Sequence, residues 1–555
     1  MKHSIFLSAL LFLSCVCFAQ IAPNKYFVAF TDKNGTPYTL DNPEAFLTQR
    51  AIDRRNNQGI PIVENDLPVN PNYIAQVKNM GVTILNPTKW LNGITLIASD
   101  TSVMASIRAL PFVSKVYKCI ANEPKTPVNS DKFKIEESYA SSPARVPEKT
   151  SDAIPGFNYG DSYRQISMVL GTFLHDLGYR GQGKVIAILD AGFLNADFLP
   201  VFDSLRVNGQ ILGTRDFVLP GNNVYNEYQH GMEVLSIMGG NYPGLLIGTA
   251  PKADYWLLRS EDAATENIIE EYNWVSAAEF ADSVGADVIN SSLGYTTFDD
   301  PKYDHTCADM DGHSAPATRG ANFAASKGIA VICSAGNEGG TSWTCMSAPA
   351  DGDLVLAIAA VDSLGHRANF SSVGVNTAGR VKPNIAAMGE STVVAYPDGN
   401  IGRGSGTSFS SPVIAGVVAC LWQSRSNATV LMLYDAIQES ASQYNTPDSL
   451  LGYGIPDFSN AFTILSTGEI QQVTSAVFPN PFTNRINVRL NVKSNPEINL
   501  KLYDRIGRIV ASKTFLGSPG ANTTYLDNLS GLTSGLYLLK VSGNNFTEVI
   551  KVVKQ

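Results

Sequence analysis

Four polar side chains, far apart along the chain, carry the functional groups that acyl transfer requires. Asp190 follows the apolar segment KVIAIL (184–189), and His230 precedes an apolar helical pattern. Ser408 stands in the run GTSFSSP, and Asn337 stands in the run SAGNEG. An imidazole can activate a hydroxyl, a carboxylate can orient that imidazole, and a side-chain amide can donate to an oxyanion. These residue types predict nucleophilic attack on a carbonyl carbon if the fold brings them together.

Each of these segments alone also has an ordinary structural explanation. A carboxylate after a strand can cap a helix, and a loop histidine can simply be solvated. Gly-Thr-Ser is a common helix start, and Asn-Glu-Gly is a common turn. At a helix start, His230 would feel the positive end of the dipole, which favours its neutral form. Ser408 precedes Pro412, which suits the first turn of a wholly apolar helix. The chemical interpretation therefore depends on the four segments occurring together in one chain.

The region 160–465 supplies the elements that must position these side chains. Short apolar strands alternate there with amphipathic helices, which is typical of a parallel sheet flanked by helices. The predicted strands are 184–189, 254–260, 286–292, 329–335 and 354–361, and the predicted helices are 232–239, 274–285 and 317–328. In open α/β sheets functional groups gather at the carboxyl ends of the strands. Asp190 and Asn337 each follow a predicted strand.

The order of the motifs in this region resembles that of the subtilases. Five runs follow one another along the chain: LDAG, HGMEV, VINSSLG, SAGNEG and GTSFSSP. KPNIAAMG (382–389) lies before the last of these runs, and GYGIPD (452–457) lies after it. This resemblance implies an α/β fold with a parallel-sheet, subtilisin-like catalytic domain. It places Asp190, His230 and Ser408 in a catalytic triad, with the acid first and the serine last along the chain. That order, and the missing Gly-x-Ser-x-Gly elbow, exclude an α/β-hydrolase.

The same resemblance implies roles for the residues around the nucleophile. Asn337 takes the oxyanion-hole position, and Ser292, Leu293 and Gly294 match the strand that lies beside an extended substrate. The implied activity is that of a serine endopeptidase, which hydrolyses protein or peptide substrates through an acyl-enzyme intermediate. The chemistry requires no cofactor and no catalytic metal. Structural calcium is implied by family analogy, although the sequence contains no twelve-residue acidic loop.

Three residues depart from the family pattern beside the triad. Ala191 stands where the family has Ser or Thr, so a hydroxyl that could bond the carboxylate is missing. Met232 and Glu233 replace the Thr and His that usually follow the catalytic His-Gly pair, and Glu233 adds a negative charge. These departures support an alternative hypothesis, a catalytically silent surface binding protein on a subtilase scaffold. None of them replaces a triad residue, so the endopeptidase is the favoured prediction.

Residues 20–120 read as a small α+β domain ahead of the catalytic region, in a split β-α-β-β-α-β order. The runs RAIDRR (50–55), DLPV (66–69) and KWLNG (89–93) resemble the pro-domain of subtilases from bacteria with type IX secretion. This resemblance implies a domain that assists folding and inhibits the site until it is removed. Residues 121–159 are rich in Pro, Ser, Lys and Glu, which predicts a linker that contains the maturation cleavage.

Residues 471–555 change to strands with polar turns, which predicts a small β-sandwich. The run VFPNPFTNRINVRL, together with GLYLLKV and a basic terminal KVVK, resembles the type IX sorting domain. The resemblance implies the type IX secretion machinery as a partner. A carbohydrate-binding sandwich is the alternative, but these strands lack a cluster of Trp residues.

Residues 1–19 have a short basic start, an apolar run and Ala19 before the expected cut, which predicts a secretory signal peptide. Cys15 and Cys17 leave a lipoprotein signal as a lower-ranked alternative. The sequence thus predicts a secreted or cell-surface protein, in which disulfides are possible. Cys307 and Cys345 lie in polar, loop-like sequence and are expected to pair, whereas Cys420 is expected to be a buried thiol.

The composition narrows the class of protein further. Hydrophobic residues make up 44 % and charged residues 16 %, which is typical of globular domains. The formal net charge is −9, and there is no long basic run, so a nucleic-acid partner is disfavoured. No apolar stretch beyond the signal is long enough to predict a transmembrane anchor.

Overall fold

A computed structural model describes most of the chain and divides it into two compact units. The described residues are 24–120, 133, 157–374, 379–467, 476–492, 497–504, 508–518, 520–543 and 546–555. The predicted signal peptide lies outside them, and so does the predicted linker except for Phe133 and residues 157–159. The first unit is Met1–Ala461, and the second is Phe462–Gln555.

The N-terminal part of the first unit is a small α+β domain, as the sequence predicts. Its elements are β1 (Asn24–Phe30), α1 (Gln49–Gln58), α2 (Pro71–Lys78), β2 (Thr83–Thr88), β3 (Gly93–Ala98), α3 (Val103–Arg108) and β4 (Val113–Lys118). The strands form an antiparallel sheet in the order β2-β3-β1-β4. The helix α2 was not predicted, although Asn70 caps its start and Pro71 is its first residue.

The rest of the first unit is built on a parallel sheet, which confirms the predicted fold class. In the described part of the chain, seven strands pair in the order β13-β12-β11-β10-β5-β9-β6. The elements are α4 (Tyr163–Ser167), α5 (Gly171–Asp176), β5 (Val185–Asp190), α6 (Asp203–Val207), β6 (Ile211–Asp216), α7 (His230–Gly239), β7 (Asn241–Tyr242), β8 (Leu246–Ile247), β9 (Asp254–Arg259), α8 (Ile269–Ser283), β10 (Val288–Ser291), α9 (Pro316–Ser326), β11 (Ala330–Ser334), β12 (Leu356–Val361), β13 (Ile385–Met388), β14 (Thr392–Ala395), β15 (Ile401–Gly404), α10 (Thr407–Ser424) and α11 (Val430–Glu439). The boundary between the two units falls within the next helix, α12 (Phe458–Thr467).

The helix α10 starts earlier than the sequence suggests. It begins at Thr407, so Pro412 lies inside the helix rather than in its first turn. A proline at this position has no N–H for the carbonyl of Ser408, four residues earlier. The hydroxyl of Ser292 donates to that carbonyl instead, at 2.8 Å. The substituted hydrogen bond ties the start of α10 to the residues that follow β10.

A buried ion network joins the N-terminal domain to the helix α8. Asp282 of α8 accepts from Arg54 at 2.6 Å, from Arg55 at 2.9 Å and from Lys89 at 2.8 Å. Arg55 also pairs with Asp66 at 3.1 Å. These residues come from the runs RAIDRR, DLPV and KWLNG, so the three N-terminal motifs meet at this interface.

A second carboxylate of α8 binds the turn between β2 and β3. Glu279 accepts from the hydroxyl of Thr88 at 2.5 Å and from the backbone amides of Lys89 at 2.7 Å and Trp90 at 2.9 Å. Its side chain is nearly fully buried. Since buried polar groups need partners, these three donors fix the turn on α8.

The second unit is a strand-rich domain, as predicted. Its strands are β16 (Ala476–Phe478), β17 (Ile486–Val492), β18 (Glu497–Tyr503), β19 (Ile509–Leu516), β20 (Gly520–Leu526), β21 (Gly535–Gly543) and β22 (Phe546–Lys554). Among the described residues they form the antiparallel sheets β16-β17-β20 and β19-β18-β21-β22. Alternate residues such as Ile486, Val488 and Leu490 are buried in a common core, the pattern of a β-sandwich.

The cysteine predictions are confirmed for the described residues. Cys307 and Cys345 form a disulfide, and Cys420 is a buried free thiol. Among the described helices, none is both long and apolar enough to cross a membrane.

Candidate active site

Asp190 and His230 meet at the carboxyl edge of the parallel sheet. Asp190 is the last residue of β5, and His230 is the first residue of α7. His230 Nδ1 lies 2.7 Å from Asp190 Oδ1, and both side chains are almost fully buried. A carboxylate on Nδ1 fixes the tautomer in which Nε2 can accept a proton. The predicted acid–base pair is therefore assembled in the fold.

The charges around His230 decide the direction of its pKa shift. Burial acts to lower the pKa of His230, but the charge and hydrogen bond of Asp190 and the charge of Glu233 outweigh it, so the pKa is raised. The shift is therefore opposite in direction to the one that a helix start alone would cause. The dipole at a helix end contributes less than a full carboxylate in contact with the ring.

Ser408 is the second residue of α10, a helix that packs against α7. Its hydroxyl donates to the carbonyl of Ser292 at 3.2 Å. No hydrogen bond joins Ser408 to His230 in the described part of the chain. The ring of the next residue, Phe409, lies 6.0 Å from the ring of His230. Because a serine side chain turns about a single Cα–Cβ bond, one rotamer change redirects the hydroxyl.

Asn337 is held with a defined orientation next to Ser408. Its Oδ1 accepts from the backbone amide of Thr407 and from the Thr407 hydroxyl, each at 2.9 Å. A backbone amide can only donate, so the atom facing it must be the amide oxygen. The NH₂ group of Asn337 therefore remains available as a donor.

Ser292, Leu293 and Gly294 follow β10 and line the same cleft as Ser408 and Asn337. The cleft has a volume of about 270 Å³. Five of the seven predicted site residues therefore line this cleft, and His230, which is paired with Asp190, contacts the ring of Phe133, another residue of the cleft wall.

The two carboxylate oxygens of Asp190 differ in their hydrogen bonds, and the difference concerns Ala191, one of the residues that depart from the family pattern. Asp190 Oδ1 accepts from the backbone amide of Ala191 at 2.7 Å. Asp190 Oδ2 is buried and has no hydrogen-bond donor among the described residues. The resemblance to the subtilases implies a hydroxyl at position 191 that could donate to this carboxylate, and Ala191 does not supply one.

Arg259 is a site residue that the sequence did not reveal. It ends β9, the neighbour of β5, and its Nε donates to the carbonyl of Ala191 at 3.1 Å. Its guanidinium also pairs with Asp216 at 2.9 Å and with Glu227 at 3.1 Å. Arg259 thereby links the residue after Asp190 to the loop before His230. A charged residue at the end of the apolar strand DYWLLR was the available signal.

Three carboxylates near the cleft could hold a cation. Single oxygens of Glu261, Glu266 and Glu270 lie within 4.8 Å of one another. Carboxylates are the ligands that calcium prefers, but acidic groups often cluster without an ion. Structural calcium stays a prediction.

Comparisons with protein families match three segments of the chain. Residues 181–454 match the subtilase family, residues 25–134 match the peptidase S8 propeptide domain of Bacteroidota, and residues 476–555 match the secretion system C-terminal sorting domain. A chain that carries this propeptide and this sorting domain is a secreted or cell-surface protein.

Curated relatives match the middle of the chain. Subtilisin NAT of Bacillus subtilis subsp. natto is 30 % identical over 282 residues, which cover 50 % of this chain and 65 % of that protein. The chain thus spans less than two thirds of that relative. Subtilisin DY of Bacillus licheniformis is 31 % identical over 252 residues, which cover 44 % of this chain and 78 % of that protein. A solved structure of the prenylagaramide maturation protease PagA aligns with 53 % of this chain, at 24 % identity and a TM-score of 0.42. Together with the family match over 181–454, the likeness to subtilisin DY shows that this chain belongs to the subtilase family.

Proposed function

We propose that this protein is a secreted serine endopeptidase that hydrolyses peptide bonds through Asp190, His230 and Ser408. The observation that carries the proposal is the 2.7 Å contact between His230 Nδ1 and Asp190 Oδ1, next to a cleft lined by Ser408 and Asn337. An acid, a base, a nucleophile and an amide donor at one cleft are the set that peptide hydrolysis requires.

The proposed mechanism uses side chains and backbone amides of the chain together with one water molecule. Ser408 Oγ turns from the Ser292 carbonyl, gives its proton to His230 Nε2 and attacks the peptide carbonyl. Asp190 stabilises the imidazolium, which then protonates the leaving amine and leaves the acyl group on Ser408 Oγ. A water molecule then gives a proton to His230 Nε2 and attacks the ester, and the imidazolium returns that proton to Ser408 Oγ as the new carboxylic acid leaves. The NH₂ of Asn337 and the backbone amide of Ser408 bind the oxyanion. A subtilisin is the case in which loss of one such donor was found to lower turnover by about 10²–10³-fold, and we expect the same order for Asn337→Ala.

One residue of the predicted linker supports the view that the cleft accepts peptides. The ring of Phe133 lies 4.3 Å from the ring of His230 and 5.2 Å from the ring of Tyr228. Phe133 also lines the cleft that contains Ser408. A side chain from ahead of the catalytic region thus stands where a substrate side chain would lie. We propose that residues 121–159 contain the maturation cleavage and that residues 20–120 act as the inhibitory pro-domain.

The export route is part of the same proposal. We assign residues 1–19 as the signal peptide, residues 160–465 as the catalytic domain, and residues 471–555 as the domain that engages the type IX secretion machinery. The sorting-domain match supports the last assignment. The substrates are proteins or peptides outside the cell.

A second candidate is a catalytically silent binding protein on the same scaffold. The hydroxyl of Ser408 is bonded to Ser292 rather than to His230, and Asp190 Oδ2 lacks a donor. Both observations favour this candidate, because each describes an incomplete triad.

Processing of the precursor distinguishes the two candidates. The full-length wild type and the Ser408→Ala variant are expressed, and intact mass with N-terminal sequencing follows the pro-segment. The endopeptidase releases the pro-segment from the wild type and leaves Ser408→Ala uncut. Added wild type then cuts Ser408→Ala, which controls for a folded and accessible linker. Equal processing of both chains, or of neither, would contradict the proposal.

A further inference from the structure

The second unit is basic, although the chain as a whole is acidic. Phe462–Gln555 contains ten Lys or Arg residues against five Asp or Glu residues. The whole chain contains 41 against 50 and has a formal net charge of −9. A positive unit attached to a negative remainder is attracted to anionic surfaces, which repel the rest of the chain. This charge asymmetry indicates an anionic partner for the second unit.

Three lysines of this unit lie together on one face of the sheet β19-β18-β21-β22. Lys501 of β18 is directly opposite Lys540 of β21. Lys551 of β22 is opposite Leu538, so it is the diagonal neighbour of Lys540. Glu497, on the same side of β18, is four residues from Lys501, which is about 13 Å along a strand. None of the three lysines forms an ion pair with a residue that the structure describes.

The pairing of Lys501 with Lys540 is unfavourable within the sheet itself. Like charges directly opposite each other on neighbouring strands are destabilising. The alternate residues of β18 and β21 are buried in the core of the sandwich, so both lysines are on the outward side. Their mutual repulsion there favours an anion from outside the chain.

Exposed aliphatic side chains occupy the rest of the same face. Leu536 is directly opposite Val553, and Val549 is directly opposite Lys540. Between 37 % and 55 % of the side chain is exposed in each of Leu536, Leu538, Val549 and Val553. An exposed apolar patch beside charged residues is typical of a surface that binds a protein or a membrane. We use the name lysine face for this outward face of β18, β21 and β22 around Lys501, Lys540 and Lys551.

The composition of the lysine face distinguishes between these two classes of partner. The centres of protein–protein interfaces are enriched in Arg, Met and aromatic residues and depleted of Lys. Here Lys and aliphatic residues predominate, with one aromatic residue, Tyr503, opposite Leu538. Ammonium groups bind the phosphates of anionic lipids, and aliphatic groups enter the interfacial layer of a bilayer. The lysine face therefore fits a lipid surface better than a protein surface.

We propose that the lysine face binds the surface of an anionic lipid bilayer. Lys501, Lys540 and Lys551 contact lipid phosphates, and the aliphatic side chains lie at the level of the headgroups. The bilayer supplies the anions that offset the repulsion between Lys501 and Lys540. Contact of this kind is peripheral and uses no transmembrane helix. The inference goes beyond the proposed peptidase activity and does not depend on it.

Vesicle binding by the Ser408→Ala chain, residues 20–555, tests the role of the lysines. Co-sedimentation is compared for vesicles of phosphatidylglycerol and phosphatidylcholine in equal parts and for vesicles of phosphatidylcholine alone. We expect binding to the anionic vesicles only. Lys501→Gln/Lys540→Gln should lower the partition coefficient by about 25-fold, since each lysine near an anionic surface contributes about fivefold. Lys501→Arg/Lys540→Arg keeps both charges and should keep the parent affinity.

The matched control removes two charges from the other side of the unit. Arg485→Gln/Arg489→Gln changes two exposed residues, one just before β17 and one within it, in the other sheet. This variant should bind anionic vesicles nearly as well as the parent chain. No binding by the parent, or equal binding by Lys501→Gln/Lys540→Gln, would overturn the inference. An equal loss in the control would assign binding to net charge alone and would overturn it too.

A fluorescent reporter identifies the face that contacts the bilayer. The five tryptophans of the chain all precede residue 423, so the second unit contains none. In the Ser408→Ala chain, Leu538→Trp places a reporter on the lysine face, and Tyr525→Trp places one on β20 of the other sheet. Anionic vesicles should shift the emission of the first reporter to shorter wavelength and leave the second unchanged. Equal shifts, or a shift only at position 525, would contradict the proposed contact.

The same position also tests for a protein partner. A photo-cross-linker at position 538 that captures a protein in cells, together with no vesicle-induced shift of Leu538→Trp, would assign the face to a protein and overturn the lipid proposal. Because each vesicle experiment uses the Ser408→Ala chain, its outcome is independent of whether the protein is a peptidase.

Discussion

Two buried aspartates in the first unit have opposite surroundings. Asp282, at the interface with the N-terminal domain, is bound by three cations within 2.6–2.9 Å. Asp190, at the cleft, is bound by one imidazole and one backbone amide, and one of its oxygens has no donor among the described residues. Asp282 therefore has donors on both carboxylate oxygens, whereas Asp190 has donors on only one of its two oxygens among the described residues.

The difference follows from what each carboxylate must do. Burial acts to raise the pKa of Asp282, but Lys89, Arg55 and Arg54 outweigh it, so the pKa is lowered and the group stays charged. Such a group fixes two surfaces together. Asp190 instead faces an imidazole, whose protonation can change during a reaction. The surroundings of Asp282 suit a fixed interface, and those of Asp190 suit the acid of the proposed triad.

The largest expected effect comes from breaking the interface. In the Ser408→Ala precursor, Asp282→Asn leaves two arginines and a lysine buried without their shared anion. Loss of one partner of a buried ion network typically costs about 3–5 kcal/mol in the free energy of unfolding. Denaturant unfolding measures the change. The control is Lys302→Gln, which removes an exposed ion pair with Asp300. It should lower the free energy of unfolding by at most about 1 kcal/mol. Equal losses of stability in both variants would show that the buried network around Asp282 contributes no more than an exposed ion pair.

A smaller effect is expected from the pH dependence of Glu279. Burial raises its pKa to about 7, against the attraction of Lys89. Lys33 of the N-terminal domain and Arg215 and Asp282 of the catalytic part are the other charged groups around it. An acid whose pKa is higher in the folded state holds its proton there, while the unfolded chain loses it near pH 4.5.

The stability of the precursor should therefore fall as the pH rises from about 4.5 to about 7, by up to about 3 kcal/mol. Thermal unfolding of the Ser408→Ala precursor between these two pH values measures how stability changes with pH. The added substitution Glu279→Gln, which keeps an amide oxygen as acceptor, should flatten it. A slope that persists in the double variant would assign the pH dependence to another group.

The smallest effect is expected from completing the surroundings of Asp190. Ala191→Ser offers a hydroxyl to the carboxylate oxygen that lacks a donor. A hydrogen bond of this kind contributes about 1 kcal/mol to stability, and kcat/KM should rise by a few-fold because the acid is better fixed. Ala191→Cys, of similar bulk but with a much weaker donor, is the control. If Cys raises kcat/KM as much as Ser, the missing donor does not limit the site.

Much of this architecture could be predicted from local patterns. Apolar strands at regular spacing indicated the parallel sheet, and the motifs indicated which strand ends would carry Asp190 and Asn337. Ion pairs between distant segments could not be predicted from the sequence, because hydrophobic periodicity does not indicate which charged residues pair. Arg259 is an example, and so is the convergence of three N-terminal motifs on Asp282. The rotamer of Ser408 is set by its bond to Ser292, which no sequence pattern contains.

The central claim is that Ser408 is a nucleophile activated by His230. Reaction of the secreted protein with a fluorophosphonate, followed by peptide mapping, tests it most directly. The account predicts one adduct, on Ser408, that is absent from Ser408→Ala and strongly reduced in His230→Ala. An unlabelled Ser408 in a processed, folded protein, or an adduct on another residue, would contradict it.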